Sequence, residues 1–254
     1  MRTFQNEMAA SKEQPCFSIV IPVYNHAATL RSVIDESLQL GFPIIVVDDG
    51  STDTCSEVLA DYQGITVIRH AKNRGKGAAL LTGMQAAARV ADFAITLDAD
   101  GQHIPRQALV LIGFIRDGYR PLIVGRREHM LDDPGIPWTS RFGRKFSNFW
   151  VWASGGPSIS DTQCGFRVYP IKEILGLRSR ARRFQFEVEI LVLAHWNNID
   201  VYEVPIEAIY PDRSSRVSHF RPFTDFWRNA ATFTRLITMR LLLPPSFRRR
   251  LIRA

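Results

Sequence analysis

The 254-residue sequence contains no run of eighteen apolar residues, so no membrane-crossing helix is expected. Residues 1–15 hold no apolar core of the kind a secretory signal needs, and none is expected there. Cysteine is scarce. Cys16, Cys55 and Cys164 are an odd number with no metal-type spacing, which argues against a disulfide framework and a zinc site and reads as reduced packing thiols. Internal repeats and low-complexity segments are absent, and 46% hydrophobic with 22% charged residues excludes gross disorder. Acidic residues all but vanish at the C-terminus: from Arg213 onward ten arginines face one acid, Asp225. That segment carries +9 of a net +7, leaving −2 for residues 1–212. A near-neutral body with a basic end points to an anionic surface touched at that end. The length fits one domain with an appendage, divided as a tail (1–15), a body (16–221) and a basic C-terminal segment (222–254).

What is present reads as alternating strands and helices. Strands are expected at 16–23, 42–47, 65–69 and 93–97, with helices at 27–40, 52–62 and 76–90 between them. Near-continuous apolar strands separated by helices are the pattern of a mostly parallel sheet covered on both faces. Further strands are expected at 121–125 and 161–169, and a pair at 199–204 and 206–210 broken by Pro205. Helices are expected at 140–153 and 186–197. Phe223, Phe226, Trp227, Phe233, Ile237 and Leu241 keep a helical spacing with Asp225, Arg228 and Arg235 opposite, which predicts an amphipathic helix ending at Pro244–Pro245.

In parallel sheets ligands bind at the carboxyl ends of the strands, and three polar clusters fall there: Tyr24–Asn25–His26, Asp48–Asp49 and Asp98–Ala99–Asp100. The side chains of Asp98 and Asp100 leave an extended backbone on the same side. Adjacent carboxylates repel unless a cation neutralises them, which suits Mg2+ or Mn2+ bound together with substrate phosphates. Two solvated acids at a strand end are the alternative, and Gln102, a further oxygen donor, favours the metal. An EF-hand is excluded because His103 stands where its glycine belongs. Ser51 or Thr52 suffices to cap the helix after Asp48–Asp49, so one of these acids is assigned to a base or ribose hydroxyl. Asn73–Arg74–Gly75–Lys76–Gly77 opens a helix whose N-terminus suits phosphate. It is neither a dinucleotide fingerprint, since Leu80 replaces the third small residue, nor a Walker motif, since Gly77 follows Lys76.

Five motifs occur in order: Ile21–Pro–Val–Tyr–Asn25, Val47–Asp–Asp–Gly–Ser–Thr–Asp53, Asn73–Arg–Gly–Lys–Gly77, Leu97–Asp–Ala–Asp–Gly–Gln–His103 and Asp161–Thr–Gln–Cys–Gly–Phe–Arg167. Together they resemble the family 2 glycosyltransferases of GT-A fold, within them the dolichyl-phosphate mannose or glucose synthase branch, over residues 16–220. The resemblance implies that Pro22, Tyr24, His26, Asp48 or Asp49, Lys76 and Ala99 face the nucleotide. It implies that Asp98, Asp100 and Gln102 hold the metal, and that Arg126 contacts a donor or acceptor phosphate. Arg213 falls in the slot of an arginine gripping the diphosphate, with Arg216 as the alternative because the preceding loop is longer than the family's. His26 and His219 replace the branch's glutamate and lysine, so a GDP- or UDP-hexose donor is not distinguished.

The implied reaction is attack on the anomeric carbon with inversion. A lipid-phosphate acceptor needs no general base and would be held by Arg126 with Arg144. A hydroxyl acceptor needs one, with Asp161 and Glu189 as candidates, Glu189 lying either on the site side or on a solvated helix face. The basic segment lacks a nucleic-acid reading motif, so the expected partner there is the cytoplasmic face of a membrane, the alternative being that its apolar face packs on the body with the arginines solvated. A nucleotidyltransferase and a non-catalytic nucleotide-sugar or lipid-binding module are the competing readings.

Overall fold

The computed structural model describes residues 15–116, 118–128, 138–209 and 222–253, apart from the side chains of 138–142, 222 and 223. Expected positions at Arg213, Arg216 and His219 therefore lie outside the described residues. The chain begins with β1 (Phe17–Val23), α1 (Ala27–Leu38), β2 (Ile44–Asp48), α2 (Cys55–Ala60) and β3 (Thr66–Arg69). It continues through α3 (Lys76–Ala87), β4 (Phe93–Thr96), α4 (Ala108–Ile112), β5 (Leu122–Arg127) and α5 (Trp138–Ala153). The last third holds β6 (Arg167–Pro170), α6 (Ile171–Leu175), α7 (Gln185–Trp196), β7 (Val201–Ile206), α8 (Pro222–Leu242) and α9 (Pro245–Ile252).

The strands form one seven-stranded sheet in the order β3-β2-β1-β4-β6-β5-β7. β6 runs antiparallel to β4 and β5, and the remaining pairs are parallel. The carboxyl ends of β1, β2, β4, β5 and β7 consequently open on one edge, which the start of β6 joins. Ile19, Val20 and Ile21 of β1 and Val46 and Val47 of β2 are fully buried, as strands covered on both faces must be. α3 lies close over β1 because Gly83 presents no side chain: a Cβ there would sit 2.3 Å from Cγ1 of Val20.

Two expected strands differ. Residues 161–166 are not extended, and β6 begins only at Arg167. The cause is the buried Arg167 guanidinium, which donates to the carbonyls of Thr162, Cys164 and Glu187, each at 2.8 Å. Those bonds curl the segment around the side chain and leave no strand ladder there. The break at Pro205 does not occur: β7 runs through it, paired with Arg126 of β5. As an edge strand, β7 needs no donor on its outer side, so proline is tolerated. The C-terminal helix divides the expected apolar face between the body and the outside. Phe233 and Leu236 are buried, whereas Trp227, Leu241 and Leu242 are 70%, 76% and 75% exposed. Arg235 pairs with buried Glu189, and Arg240, itself exposed, donates to the Ala153 carbonyl at 2.6 Å.

Asp161, wholly buried, anchors the curled segment. Arg127 of β5 grips both its oxygens, at 2.8 and 2.9 Å, and Arg144 of α5 stands 3.7 Å away. Burial alone would raise this carboxyl, but the hydrogen bonds and charge of Arg127, with the charge of Arg144, hold it below its ordinary 3.8. A depressed native value gives stability that is complete above the ordinary value and is lost as pH falls through the native one. Asp161→Asn, which removes the buried carboxylate facing both Arg127 and Arg144, should cost about 3–5 kcal/mol in urea denaturation at neutral pH. The deficit should narrow below pH ~4 as the wild-type carboxylate protonates. Parallel stability curves for the two proteins down to acid pH would contradict the assignment.

Candidate functional site

A cleft of about 550 Å³ opens at the carboxyl edge of the sheet. The end of β1 supplies Pro22, Tyr24 and His26, β2 supplies Asp49, and the turn after β4 supplies Asp98, Ala99 and Asp100. Asn73, Gly75 and Lys76 enter from the start of α3, Arg183 and Phe184 from the approach to α7, and Asp225 and Arg228 from α8. Most positions expected to face the nucleotide are thus brought together. Asp48 is an exception: it is buried, receives the Ser51 amide at 2.8 Å and lies 3.2 Å from Arg69 Nε.

Much of the first three motifs serves to build this edge. Asn25 adopts a positive φ of 53°, and its Oδ1 accepts from the Thr52 amide at 2.7 Å. Asp53 returns the contact by accepting from the Ala27 amide at 3.0 Å. The loop after β1 is thereby laced to the loop after β2. Asp49 accepts from the amides of Arg74 and Gly75 at 2.9 and 2.7 Å, and from His70 Nδ1 at 2.6 Å. The second acid of the pair therefore shapes the loop that presents Lys76, a duty not apparent from the sequence. Gly75 has φ 101°, and a Cβ there would meet the Arg182 carbonyl at 2.5 Å, so close approach of that segment requires glycine as well.

The charged centre is built on Asp98. Its Oδ1 is 2.6 Å from Lys76 Nζ, which is also 2.8 Å from Oε1 of Glu187. Burial works against ionisation of Asp98, but the charge of Lys76, with the hydrogen bond it donates, outweighs it and lowers the carboxyl to about 2. Lys76 is raised in turn: burial alone would lower it, and Asp98 and Glu187 overcome that. His103 is buried and lowered chiefly by desolvation, which keeps its ring neutral, and its Nδ1 accepts the Asp98 amide at 3.3 Å. The Asp98 loop is further held by the Thr29 hydroxyl, which donates to the Ala99 carbonyl at 2.6 Å. Asp100 Oδ1 accepts the Gln102 amide at 3.0 Å.

Glu187 is the acid of α7 that meets Lys76, a contact with no signal in the sequence. The acid expected on the site side, Glu189, is 0% exposed and turned away. It accepts from the Ser179 hydroxyl at 2.6 Å and the Ala181 amide at 2.7 Å, and it pairs with Arg235. Arg126 reaches the open edge but is exposed beside Glu128, 3.8 Å away, and does not line the cleft. Arg144, expected to join it on a phosphate, is buried against Asp161.

The model of the family described as "Glycosyl transferase family 2" matches residues 18–175. The chain is 29% identical over 217 residues to the UDP-N-acetylglucosamine–dolichyl-phosphate N-acetylglucosaminyltransferase of Methanococcus voltae, covering 77% of this chain and 86% of that one. It is 34% identical over 163 residues to the undecaprenyl-phosphate 4-deoxy-4-formamido-L-arabinose transferase of Pectobacterium carotovorum, covering 60% of this chain but only 48% of that longer protein. Glucosyl-3-phosphoglycerate synthase of Mycobacterium tuberculosis, solved with Mn2+, UDP and phosphoglyceric acid, has the same fold. It matches with a TM-score of 0.67 over 92% of this chain and 81% of that chain, at 20% identity. The mostly parallel sheet with helices on both faces is thus a GT-A fold. With the family match spanning more than half of the sequence and covering the motifs around the cleft, the chain is a glycosyltransferase belonging to glycosyl transferase family 2, similar within it to the dolichyl-phosphate sugar synthases.

Proposed function

We propose that the chain transfers a hexose from a nucleotide-diphosphate sugar to a polyprenyl phosphate at a membrane surface, with inversion. The observation that carries the choice of acceptor is the state of the two carboxylates considered as bases. Asp161 is clamped by Arg127 and held below its ordinary value, and Glu189 is saturated by Ser179, Ala181 and Arg235. Neither lines the cleft, and the oxygens of both are engaged by these partners, so an acceptor that arrives already ionised fits better than a hydroxyl. The relatives named for dolichyl-phosphate and undecaprenyl-phosphate support the same class.

Asp98 and Asp100 are a pair of hard oxygen donors, and Gln102, whose backbone amide donates to Asp100, is next to them in the chain. Among the described residues no three His, Cys, Asp or Glu side chains could hold a metal on their own. Such a set fits Mg2+ or Mn2+, which keep waters and share phosphate oxygens, and does not fit a metal that needs an all-protein cage. A divalent cation there would neutralise charge accumulating on the diphosphate leaving group. Pro22, Tyr24, His26 and Asp49 would orient the nucleoside, with Ala99 against the ribose. Arg228, on the α8 wall of the cleft and 3.0 Å from Asp225, adds positive charge where an acceptor phosphate would enter. Arg126 and Arg213 remain candidates for the phosphates.

The membrane reading rests on the outward face of α8. Trp227, Ala231, Thr234, Thr238, Leu241 and Leu242 follow one another on that side without a charge, and no helix among the described residues is long and apolar enough to cross a bilayer. An uncharged face with exposed tryptophan suits the headgroup boundary, and Arg249 and Arg250 of α9 suit anionic lipid beside it. α9 also packs on the body, since Ile252 is buried and its carbonyl accepts the Arg178 amide at 2.7 Å. Surface substitutions therefore test docking more cleanly than truncation.

A panel of nucleotide sugars offered with polyprenyl phosphate should yield an inverted lipid-phosphate sugar, and the corresponding free prenol should yield none. Equal use of the prenol would overturn the acceptor assignment. Asp100→Ala should slow transfer by about two to three decades, the size of losing one electrostatic partner of the transition state, with little change in melting temperature. Full turnover by this variant, or by wild type in excess EDTA, would remove the metal from the account. Trp227→Ser combined with Leu241→Ser should reduce co-sedimentation with anionic vesicles while the fold persists; undiminished binding would place the contact elsewhere.

A further inference from the structure

Lys76 sits where two carboxylates from different elements meet, and one of them is an expected metal ligand. Its Nζ is 2.6 Å from Asp98 Oδ1 and 2.8 Å from Glu187 Oε1. A divalent cation bound through the same Asp98 oxygen would stand about 2 Å from it, which forces the ammonium and the metal into close repulsion. One partner has to give way, and the packing indicates which.

Asp98 has little room to turn. A Cβ at Gly165 would lie 2.4 Å from Asp98 Oδ2 and 2.8 Å from Lys76 Nζ, so the ion pair is pressed against the backbone of the 161–166 turn. The backbone that carries Glu187 is also fixed. Its carbonyl accepts from the buried Arg167 at 2.8 Å, and the neighbouring Phe186 is packed against Gly77 so closely that a Cβ there would be 2.4 Å from its Cβ. The flexible member is the lysine, whose stem has four rotatable methylenes. We infer that Lys76 competes with the divalent cation for Asp98, and that Glu187 is the receiving carboxylate that takes Lys76 over when the metal binds. Asp98, Asp100 and Glu187 with Lys76 together carry −2, which one divalent cation neutralises. The inference rests on the reading of Asp98 as a metal ligand and adds two positioning residues to it. In that role Lys76 protects Asp98 until metal arrives, and its move to Glu187 leaves a cation beside the cleft.

The test is Mn2+ binding to the full chain without nucleotide, followed by electron paramagnetic resonance of free Mn2+. Lys76→Met should tighten binding about tenfold, and Glu187→Gln, which leaves the ammonium to Asp98 alone, should weaken it by about the same factor. The discriminating measurement is Lys76→Met/Glu187→Gln. With no lysine to receive, the loss of Glu187 should have far less effect than in the wild-type background, so the two changes should not add. Strict additivity would mean that both act only through their fixed charges and would overturn the hand-over. If Lys76→Met does not fold, Glu187→Gln alone decides: equal or tighter Mn2+ binding overturns the inference. Absence of Mn2+ binding by the wild type would overturn the metal reading itself. Wild-type binding with additive variants would overturn only the hand-over.

Discussion

The Lys76–Asp98–Glu187 contact holds three elements at one point: the start of α3, the turn after β4 and the first turn of α7. Three charges removed from bulk water are tolerable only when each has a partner, so the elements that carry them are constrained to arrive together. The neighbouring features follow from that constraint. Gly165 leaves space for the Asp98–Lys76 pair, Gly77 lets α3 meet Phe186, and Asp49 fixes the loop that starts α3 through the amides of Arg74 and Gly75. A little farther out, Arg167 and Asp161 pin the turn whose Gly165 backs the Asp98–Lys76 pair. The cleft is therefore made of groups whose positions are set by buried polar contacts, and little of it depends on apolar packing alone.

Much of this was legible in the residues. The buried strands β1, β2 and β4 announce themselves as unbroken apolar runs, and each is followed directly by its polar cluster, so the open edge and its acids could be placed together. The failures share a physical cause, because pattern gives neighbours along the chain and leaves the rotation of each side chain open. Glu187 and Glu189 lie two residues apart on α7, which turns them to opposite sides of the helix, and only the packing of α7 against α3 tells which one meets Lys76. Arg126 and Arg127 are adjacent on β5 and point to opposite faces, so a motif ending in two arginines does not say which is consumed by Asp161. The turn at 161–166 reads as a strand until the buried Arg167 is seen to collect its carbonyls. The phase of α8 is hidden similarly, since a helix rich in both aromatics and arginines can seat either on the body.

That last point alters how the basic end of the chain should be understood. Arg235 and Arg240 of α8 are engaged by Glu189 and the carbonyl of Ala153, and the exposed strip from Trp227 to Leu242 between the arginines is uncharged. Charge attraction to a surface then falls to α9, while α8 offers Trp227 and two leucines. Trp227 and Arg228 are consecutive, one outward and one on the cleft wall, so a surface that takes the first would lie close to the mouth beside the second. An enzyme acting on a lipid-borne phosphate gains from this proximity, because the acceptor is confined to the headgroup layer.

The central claim is that a divalent cation takes the Asp98 oxygen now paired with Lys76, and that the lysine withdraws to Glu187. Crystals grown with Mn2+ and UDP, measured at a wavelength where manganese scatters anomalously, locate both at once. The account predicts an anomalous peak within bonding distance of Asp98 and Asp100, with Lys76 Nζ on Glu187. A manganese peak away from Asp98, or one beside it with Lys76 still paired to Asp98, would contradict it.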